Sequence, residues 1–302
     1  MNMQILQASE KRRAEIGERL KDVPKSADSV PLKDDTASRI TKGAIVFLLG
    51  ILIIFAIWFS LAWYYNSFQK HALAFPEPLE TLKLMWSYLA GGNMLRYSVY
   101  MHMTASVERW VIGYVIAALI GIFIGMALGS SNRIYEIGMV PVNILQMIPG
   151  LAWIPVAFLL FGLGNNTAIF IIAVSAISPI AINVAAGIRR VPRVNIRAAQ
   201  MVGLSKMRLF DRVLLPYAAA DIVTGLRIGM ANAWRMLIAA EMVVGVAMGL
   251  GYTISQSVYM LDYVTSFVCI IIICMIGLFI DKVIFARIEK YAKEKLGTEA
   301  AL

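Results

Sequence analysis

The sequence predicts an all-α membrane protein with about six transmembrane helices, and three observations support this. Of the 302 residues, 59% are hydrophobic, more than the roughly 45–50% of soluble globular domains. These residues occur in blocks of about 20, and a helix of that length crosses the roughly 30 Å hydrocarbon core of a bilayer. Lysine and arginine concentrate in alternate connections between the blocks, as they do in multi-pass membrane proteins.

The N-terminal third of the chain predicts one span with polar segments on both sides. Residues 1–42 are polar and mixed in charge, which predicts a cytoplasmic segment with an amphipathic helix over 4–20 and no cleavable signal peptide. Residues 43–65 carry no charge and form the first predicted transmembrane helix. Residues 66–94 are more polar, and helical spacing after Pro78 predicts an extracytoplasmic segment with a helix on the membrane surface.

Residues 95–285 form the predicted core, and residues 286–302 form a cytoplasmic tail. The core contains five further predicted spans, over residues 109–128, 138–161, 167–188, 222–244 and 263–284. A basic loop, residues 189–216, separates the fourth and fifth of the six spans. Proline residues interrupt the third and fourth spans and free backbone carbonyls, which must then face protein or a cavity. Ser175 and Ser178 lie close to Pro179 and can partly satisfy these carbonyls.

The distribution of basic residues predicts the orientation. Nine lysine and arginine residues lie in the N-terminal segment, seven in residues 189–215 and five from Lys282 onward, whereas residues 162–166 and 245–262 contain none. With six spans, the basic connections all lie on one side, so we expect both termini in the cytoplasm and the protein in the inner membrane. The same distribution explains the net charge of +9, so we expect no nucleic-acid binding.

The sequence contains no motif for a disulfide framework, a metal site, a nucleotide site or a catalytic site. Cys269 and Cys274 lie in one apolar block without further ligands nearby, which predicts neither a disulfide framework nor a metal site. The chain contains no G-x-x-x-x-G-K-[ST] loop to hold nucleotide phosphates. No set of side chains has the pattern of a catalytic site. We therefore expect a protein that is not an enzyme and has no cofactor of its own.

The basic loop predicts a helical hairpin outside the membrane. Asn195 and Ser205 can cap its two helices, and Gly203 can end the first one in a left-handed conformation. The second helix is predicted to run from Ser205 to Pro216. Small residues such as Ala198 and Ala199 share one face, which suits docking into a groove on another protein. The enrichment of basic residues in cytoplasmic loops would explain the arginine residues of this loop. It would not explain the spacing of its small residues, glycine and proline.

The framework resembles the cytoplasmic coupling motif of ABC importer permeases. Ala198-Ala199 is followed by Gly203 and, after nine residues, by a Val-Leu-Leu-Pro sequence at 213–216. Residues 148–155, 224–227, 233–235 and 239–242 are similar to the nitrate/sulfonate/taurine (bicarbonate) type of these permeases, and the resemblance covers about residues 95–285. One residue departs from the pattern, because Arg197 replaces the glutamate that leads the family motif.

The resemblance implies a fold like that of type I ABC importer permeases. It implies a homodimer of this chain, two ABC ATPase subunits that bind ATP and magnesium, and an extracytoplasmic solute-binding protein. The residues expected to couple the ATPase to the membrane helices are Arg197, Ala198, Ala199, Gly203, Leu204, Ser205, Leu215 and Pro216.

Polar and proline residues within the spans are candidates for the translocation path or its gate. An arginine in a dry site would favour an anionic solute, although it could equally anchor two helices. Glu241 could form an ion pair with Arg109 instead of a gate, Arg227 could extend to the membrane surface, and the methionine and tryptophan residues could be packing residues. The candidates are Met147, Pro149, Trp153, Ser175, Ser178, Trp234, Arg235 and Glu241.

The sequence therefore predicts the membrane permease subunit of an ATP-binding-cassette importer for a small anionic solute, such as a sulfonate, taurine or nitrate. The alternative is a secondary transporter or channel driven by an ion gradient. A secondary transporter would need acidic or histidine relays inside the spans, and these spans contain almost none.

Overall fold

The computed structural model of the protein describes residues 36–68 and 74–296, with side chains from residue 45 to 292 apart from 69–73. The predicted amphipathic helix over residues 4–20 lies outside the described residues. The first helix begins at Thr36, seven residues before the predicted span. The polar residues 36–42 are therefore part of the same helix as the apolar span. Its part up to Ile57 is a separate structural unit from the remainder of the chain, and its apolar side chains are exposed to the surroundings.

The described residues are almost entirely helical. The first half contains α1 (Thr36–Phe68), α2 (Pro78–Leu89), a two-stranded hairpin of β1 (Asn93–Met94) and β2 (Tyr97–Ser98), α3 (Val99–Ser130), α4 (Asn132–Met147), a 3-10 turn (Gly150–Trp153) and α5 (Ile154–Phe161). The second half contains α6 (Asn165–Arg189), α7 (Arg193–Met201), α8 (Lys206–Leu209), a π-helical turn (Phe210–Leu214), α9 (Leu215–Val243), α10 (Leu250–Tyr259), α11 (Tyr263–Phe279), a second π-helical turn (Ile280–Phe285) and α12 (Ala286–Leu296).

The expected number of membrane crossings is confirmed within the described residues. Five helices are long and apolar enough to cross a membrane, and α4 with α5 adds a sixth if the bent pair counts as one span. That third span, which prolines were predicted to interrupt, is bent by 98° between its two helices. Ile148 adopts an extended conformation because it precedes Pro149, and a residue before proline avoids the helical region.

The core of the bundle forms around α6. In this helix 61% of the apolar stretch is buried, more than in any other candidate span. Four glycine residues of α3 contact branched side chains of α6, in the pairs Gly113–Ile172, Gly121–Ile180, Gly125–Val184 and Gly129–Ile188. Because Gly121, Gly125 and Gly129 follow each other at intervals of four, they form a small-residue stripe that lets two membrane helices approach closely.

One predicted boundary within the core and one predicted connection are wrong. α3 begins at Val99, ten residues before the predicted start at Arg109, because the polar side chains of its first turns are buried in the protein rather than placed at the membrane surface. Residues 245–262 were expected to be a glycine-rich connection, yet they contain α10. Gly245 and Gly249, both at positive φ, delimit the turn before α10. Of the two free cysteine residues, Cys269 is buried but Cys274 is exposed.

Candidate functional site

The basic loop folds into a helical hairpin at one end of the bundle. α7 begins directly after Pro192, whose extended ψ of 133° precedes the helix. The prediction that Asn195 caps this helix is wrong, because Asn195 lies inside it. Gly203 ends α7 as predicted, with a φ of +78°. The N–H of Leu204 donates to the carbonyl of Ala199 at 3.1 Å, a glycine-dependent arrangement at a helix end.

The second helix of the hairpin is continuous with a membrane span. Ser205 precedes α8 in an extended conformation, as expected for the residue before a helix, although its side chain makes no capping bond. The expectation that this helix stops at Pro216 is wrong. The π-helical turn before Leu215 widens the helix, so the proline ring fits without breaking it. Residues 206–243 therefore form one continuous helix that joins the hairpin to the membrane span.

The hairpin exposes a surface that is both apolar and basic. Ala198 and Arg197 are exposed, as are four large apolar side chains with 69–83% exposure, Val194, Met201, Val202 and Met207. At the base, Arg190 Nη1 contacts Asp221 Oδ1 at 2.5 Å, and Arg189 lies 4.0 Å above the ring of Tyr135. The remaining cations make no ion pair with a described residue, namely Arg193, Arg197, Lys206, Arg208 and Arg212.

A cavity of about 340 Å³, with both polar and apolar lining residues, lies where α4, the 3-10 turn, α6 and α9 meet. It is lined by five of the predicted path residues, Pro149, Trp153, Ser175, Ser178 and Arg235. The bend at Ile148 creates this space because it turns α5 away from α4. Gln146 and Asn232 also line the cavity and were not predicted. Asn232 lies three residues before Arg235 on α9, a helical spacing that could have identified it.

Hydrogen bonding within the cavity differs from the expectation for the serine residues near Pro179. Ser175 Oγ donates to the carbonyl of Ile172 at 2.7 Å, so it does not satisfy a carbonyl that the proline frees. Ser178 Oγ is buried and has no partner among the described residues. The indole Nε1 of Trp153 is buried and unpartnered in the same way.

Three predicted path residues, Met147, Trp234 and Glu241, lie away from the cavity. Met147 is 80% exposed at the end of α4. Trp234 is 7% exposed and packs in the core, where its ring meets Trp110 edge-on at 5.7 Å between centroids. Trp234 is therefore a packing residue, the alternative that the sequence left open. Its position next to Arg235 on a helix directs the two side chains to different faces.

Glu241 forms the predicted ion pair with Arg109. Arg109 Nη1 lies 2.5 Å from Glu241 Oε1, and the carboxylate also accepts from Ser106 Oγ at 2.9 Å. The N–H of Gly251 donates to Glu241 Oε2 at 2.9 Å. Both carboxylate oxygens thus accept hydrogen bonds, and the side chain joins α3, α9 and α10.

Arg227 does not extend to the membrane surface as expected. Its Nε donates to Asp281 Oδ1 at 2.7 Å and its Nη2 to Asp281 Oδ2 at 3.1 Å. Its Nη1 contacts Glu289 at 3.1 Å. The arginine thus joins α9 to the C-terminal helix, because two carboxylates supplied by the end of the chain are within its reach.

Several polar residues around the Arg109–Glu241 pair could not be found from the sequence. Asn165 Oδ1 accepts from Arg109 Nε at 2.8 Å. His102 Nδ1 accepts from the N–H of Gly249 at 3.1 Å, and its Nε2 bonds the carbonyl of Met94. These partners are 8 to 147 residues apart. No local spacing connects them, so only the fold brings them together.

The chain matches a protein-family model and resembles known membrane permeases. Residues 117–290 match the family described as binding-protein-dependent transport system inner membrane component. The bicarbonate transport system permease protein of Synechococcus elongatus is 32% identical over 243 residues, which cover 78% of this chain and 84% of that protein. The taurine transport system permease protein of Escherichia coli is 31% identical over 185 residues, or 61% of this chain and 67% of that one.

A solved structure shows the same fold. A chain of the MetNI methionine ABC transporter, in an inward-facing conformation, superimposes with a TM-score of 0.52 over 70% of this chain and 98% of that chain, at 21% identity. The resemblance drawn from the hairpin motif is thereby confirmed. The matched residues include the hairpin, the cavity residues of α6 and α9, and the span α11. The chain belongs to the family of binding-protein-dependent transport system inner membrane components, the multi-pass membrane permeases of ABC importers.

Proposed function

We propose that two copies of this chain form the membrane part of an ABC importer for an anionic solute. In this proposal two ATPase subunits dock on the hairpins from the cytoplasm and bind all of the ATP and magnesium. An extracytoplasmic binding protein delivers the solute. Both termini of the chain are cytoplasmic, because the basic hairpin and the basic tail then lie on the side that the charge distribution favours.

The observation that carries the proposal is the continuity of the hairpin with α9. The exposed apolar and basic surface of α7 and α8 is suited to a protein groove. α8 continues through the π-helical turn into α9, which also holds Arg235 at the cavity. A push on the hairpin therefore reaches the cavity along one helix, and the two states of the importer would differ in the contacts at both places.

An anionic solute is supported by charge. Arg235 is a cation in the cavity, and the lining contains no aspartate or glutamate. The relatives named above transport bicarbonate and taurine by their names, and both solutes carry an oxyanion group. By contrast, a proton-driven transporter needs a titratable carboxylate in its path, and Glu241 is occupied by Arg109, Ser106 and Gly251.

Coupled transport in proteoliposomes tests the proposal. The chain is reconstituted with its ATPase and binding protein, and uptake is expected only with ATP. Gly203→Asp should abolish uptake and ATPase co-purification while the protein still inserts, because a side chain at φ +78° distorts the hairpin. Gly91→Asp is the matched control, since Gly91 also has a positive φ and open space around it. It lies after α2, outside the hairpin.

The control variant should still co-purify with the ATPase. Uptake that a proton or sodium gradient drives without ATP would contradict the proposal. So would a Gly203→Asp protein that binds the ATPase and transports as well as the unmodified chain.

A further inference from the structure

A groove of about 210 Å³ lies between α2, α3 and α11, three helices that take no part in the cavity at Arg235. Its walls are Met85 and Leu89 of α2, Met103 of α3 and four apolar side chains of α11 within residues 272–279. None of these side chains contains a nitrogen or oxygen atom, and methionine adapts to irregular apolar shapes. Met275 is exposed, so the groove opens to the surroundings of the bundle.

The position of the groove along α11 places it at the depth of the hydrocarbon core. The chain contains no charged residue from Tyr263 to Ile280. As a helix this stretch extends about 27 Å, close to the roughly 30 Å thickness of the core. The groove begins at Ile272, roughly 14 Å from the start of the stretch. A groove that opens sideways at this depth faces lipid chains rather than water.

The volume of the groove restricts what can fill it. One turn of an α-helix about 10 Å across, with a pitch of about 5.4 Å, occupies roughly 400 Å³. A helix of another protein therefore does not fit into a groove of about 210 Å³. A single acyl chain is narrow, flexible and entirely apolar, and it matches both the size and the chemistry of the walls.

The helix α2 lies at the end of α11 from which the groove descends. Tyr88 Oη and Thr265 Oγ1 are hydrogen-bonded at 2.8 Å, which holds α2 beside the first turn of α11. Trp86 is 73% exposed and precedes Leu89 by three residues, so it lies on the same side of α2 as the groove. Tryptophan is enriched where a membrane meets water, because its ring is apolar and its N–H is polar.

The opposite side of α2 is polar and carries one charge of each sign. Glu80, Lys83 and Ser87 are exposed and follow each other at intervals of three and four, so they form one stripe. Glu80 and Lys83 form no ion pair with a described residue. A headgroup that carries both a phosphate and a primary ammonium is complementary to this pair of side chains.

We propose that α2 and the groove bind a zwitterionic phospholipid of the phosphatidylethanolamine type. Lys83 donates to the phosphate, and Glu80 accepts from the ammonium group. One acyl chain passes Trp86 and enters the groove between α2 and α11. The lipid ties α2 to the bundle on helices separate from those around Arg235, so this site goes beyond the proposed transport function.

Lipid capture by the full-length chain in nanodiscs tests the inference. The probe is phosphatidylethanolamine with a diazirine midway along one acyl chain, added as a minor component to phosphatidylcholine. After irradiation and proteolysis, mass spectrometry should place most adducts within residues 85–89 and 272–279. Unlabelled phosphatidylethanolamine should lower their yield at least about threefold more than phosphatidylglycerol, which lacks the ammonium, or phosphatidylcholine, whose ammonium has no N–H to donate.

Variants assign the capture to the named residues. Met275→Trp fills the groove and should lower the yield of groove adducts at least about fivefold. Leu159→Trp is the matched control, because Leu159 is exposed on α5 and does not line the groove. If Met275→Trp inserts poorly, Met103→Phe narrows the groove from the opposite wall. Lys83→Gln should abolish the preference among the three headgroups while the acyl chain is still captured.

Several outcomes would overturn the inference. Adducts spread evenly over all the spans, or a yield that Met275→Trp and Met103→Phe both leave unchanged, would show that the groove holds no particular lipid. Equal competition by the three phospholipids, or a Lys83→Gln protein that keeps the preference, would rule out the headgroup contact with α2.

Discussion

Arg109 and Glu241, which are 132 residues apart in the sequence, form an ion pair in the interior of the bundle. Their side chains are 7% and 0% exposed, and Nη1 and Oε1 are 2.5 Å apart. Arg109 Nη2 also donates to the carbonyl of Met248 at 2.7 Å. The pair therefore fixes the turn between α9 and α10 against α3. A side chain at Gly249 would collide with the carboxylate, because an added Cβ would lie 2.5 Å from Glu241 Oε2.

Removal of one partner of this pair should destabilise the protein strongly. Glu241→Gln leaves the Arg109 cation buried without a counter-charge, so we expect a loss of about 3–5 kcal/mol in the free energy of unfolding. Thermal unfolding in detergent measures the change. The double variant with Arg109→Gln should recover part of the loss, which a double-mutant cycle quantifies. Glu136→Gln is the control, since Glu136 is exposed and unpaired among the described residues. Equal Tm values for Glu241→Gln and Glu136→Gln would contradict the structural role.

The contact between α3 and α6 predicts a strong dependence on side-chain size. Gly125→Val should destabilise the protein by about 1–3 kcal/mol or more, because an added Cβ would lie 2.5 Å from Val184 Cβ. Gly50→Val is the matched control, since nothing lies within 4 Å of that position on α1. The yield of folded protein after solubilisation and its Tm report the effect. If both variants behave alike, the close packing of the two helices does not contribute to stability.

The ion pairs of Arg227 predict how the C-terminal helix is anchored. Arg227→Gln removes the two bonds to Asp281 and the contact with Glu289. Amide hydrogen exchange in α12 should then become faster, while exchange in α6 stays the same. Lys282→Gln is the control, because Lys282 is 67% exposed and contacts Asp281 only at 3.5 Å. If the exchange rate in α12 of the Arg227→Gln protein is unchanged, the apolar contacts of this helix are enough to anchor it.

The charge of the hairpin predicts an acidic groove on the ATPase, given the proposed function. Arg197→Glu should weaken binding of the ATPase from the same transport system by about tenfold at low salt, and the difference should shrink as salt is added. Arg133→Glu makes the same charge change at an exposed position outside the hairpin and should have little effect. Titration of the labelled ATPase against the permease in nanodiscs gives both affinities. Tighter binding of Arg197→Glu would show that the groove keeps a basic contact residue.

The sequence predicted the hairpin well because its signals are local. The position of Gly203 and the start of α8 after Ser205 follow from conformational preferences of single residues. The same reasoning was wrong at Asn195 and Pro216. At Asn195 the nearby Pro192 competes for the helix start, and at Pro216 a π-helical turn absorbs the proline. In both cases a neighbouring residue changed the outcome of a correct local rule.

The cavity shows the limit of sequence patterns more clearly. Pro149 and Pro179 indicated breaks in two spans, but the sequence could not show that the breaks face the same space. Side chains on one helix could be sorted only by their spacing, and Trp234 and Arg235 were both candidates. The fold turned Trp234 toward Trp110 in the core and Arg235 toward the cavity.

The sequence by itself determined that the chain lies in a membrane, the approximate positions of its spans, and that it carries a hairpin of the importer type. Hydropathy, charge asymmetry and glycine and proline preferences are properties of short segments, so they can be read without a fold. Only the tertiary structure decided that Arg109 meets Glu241, that Arg227 meets Asp281, and that Arg235 has no counter-ion in the described chain. These outcomes depend on which distant helices pack together, because a charged side chain that becomes buried must pair with a neighbour.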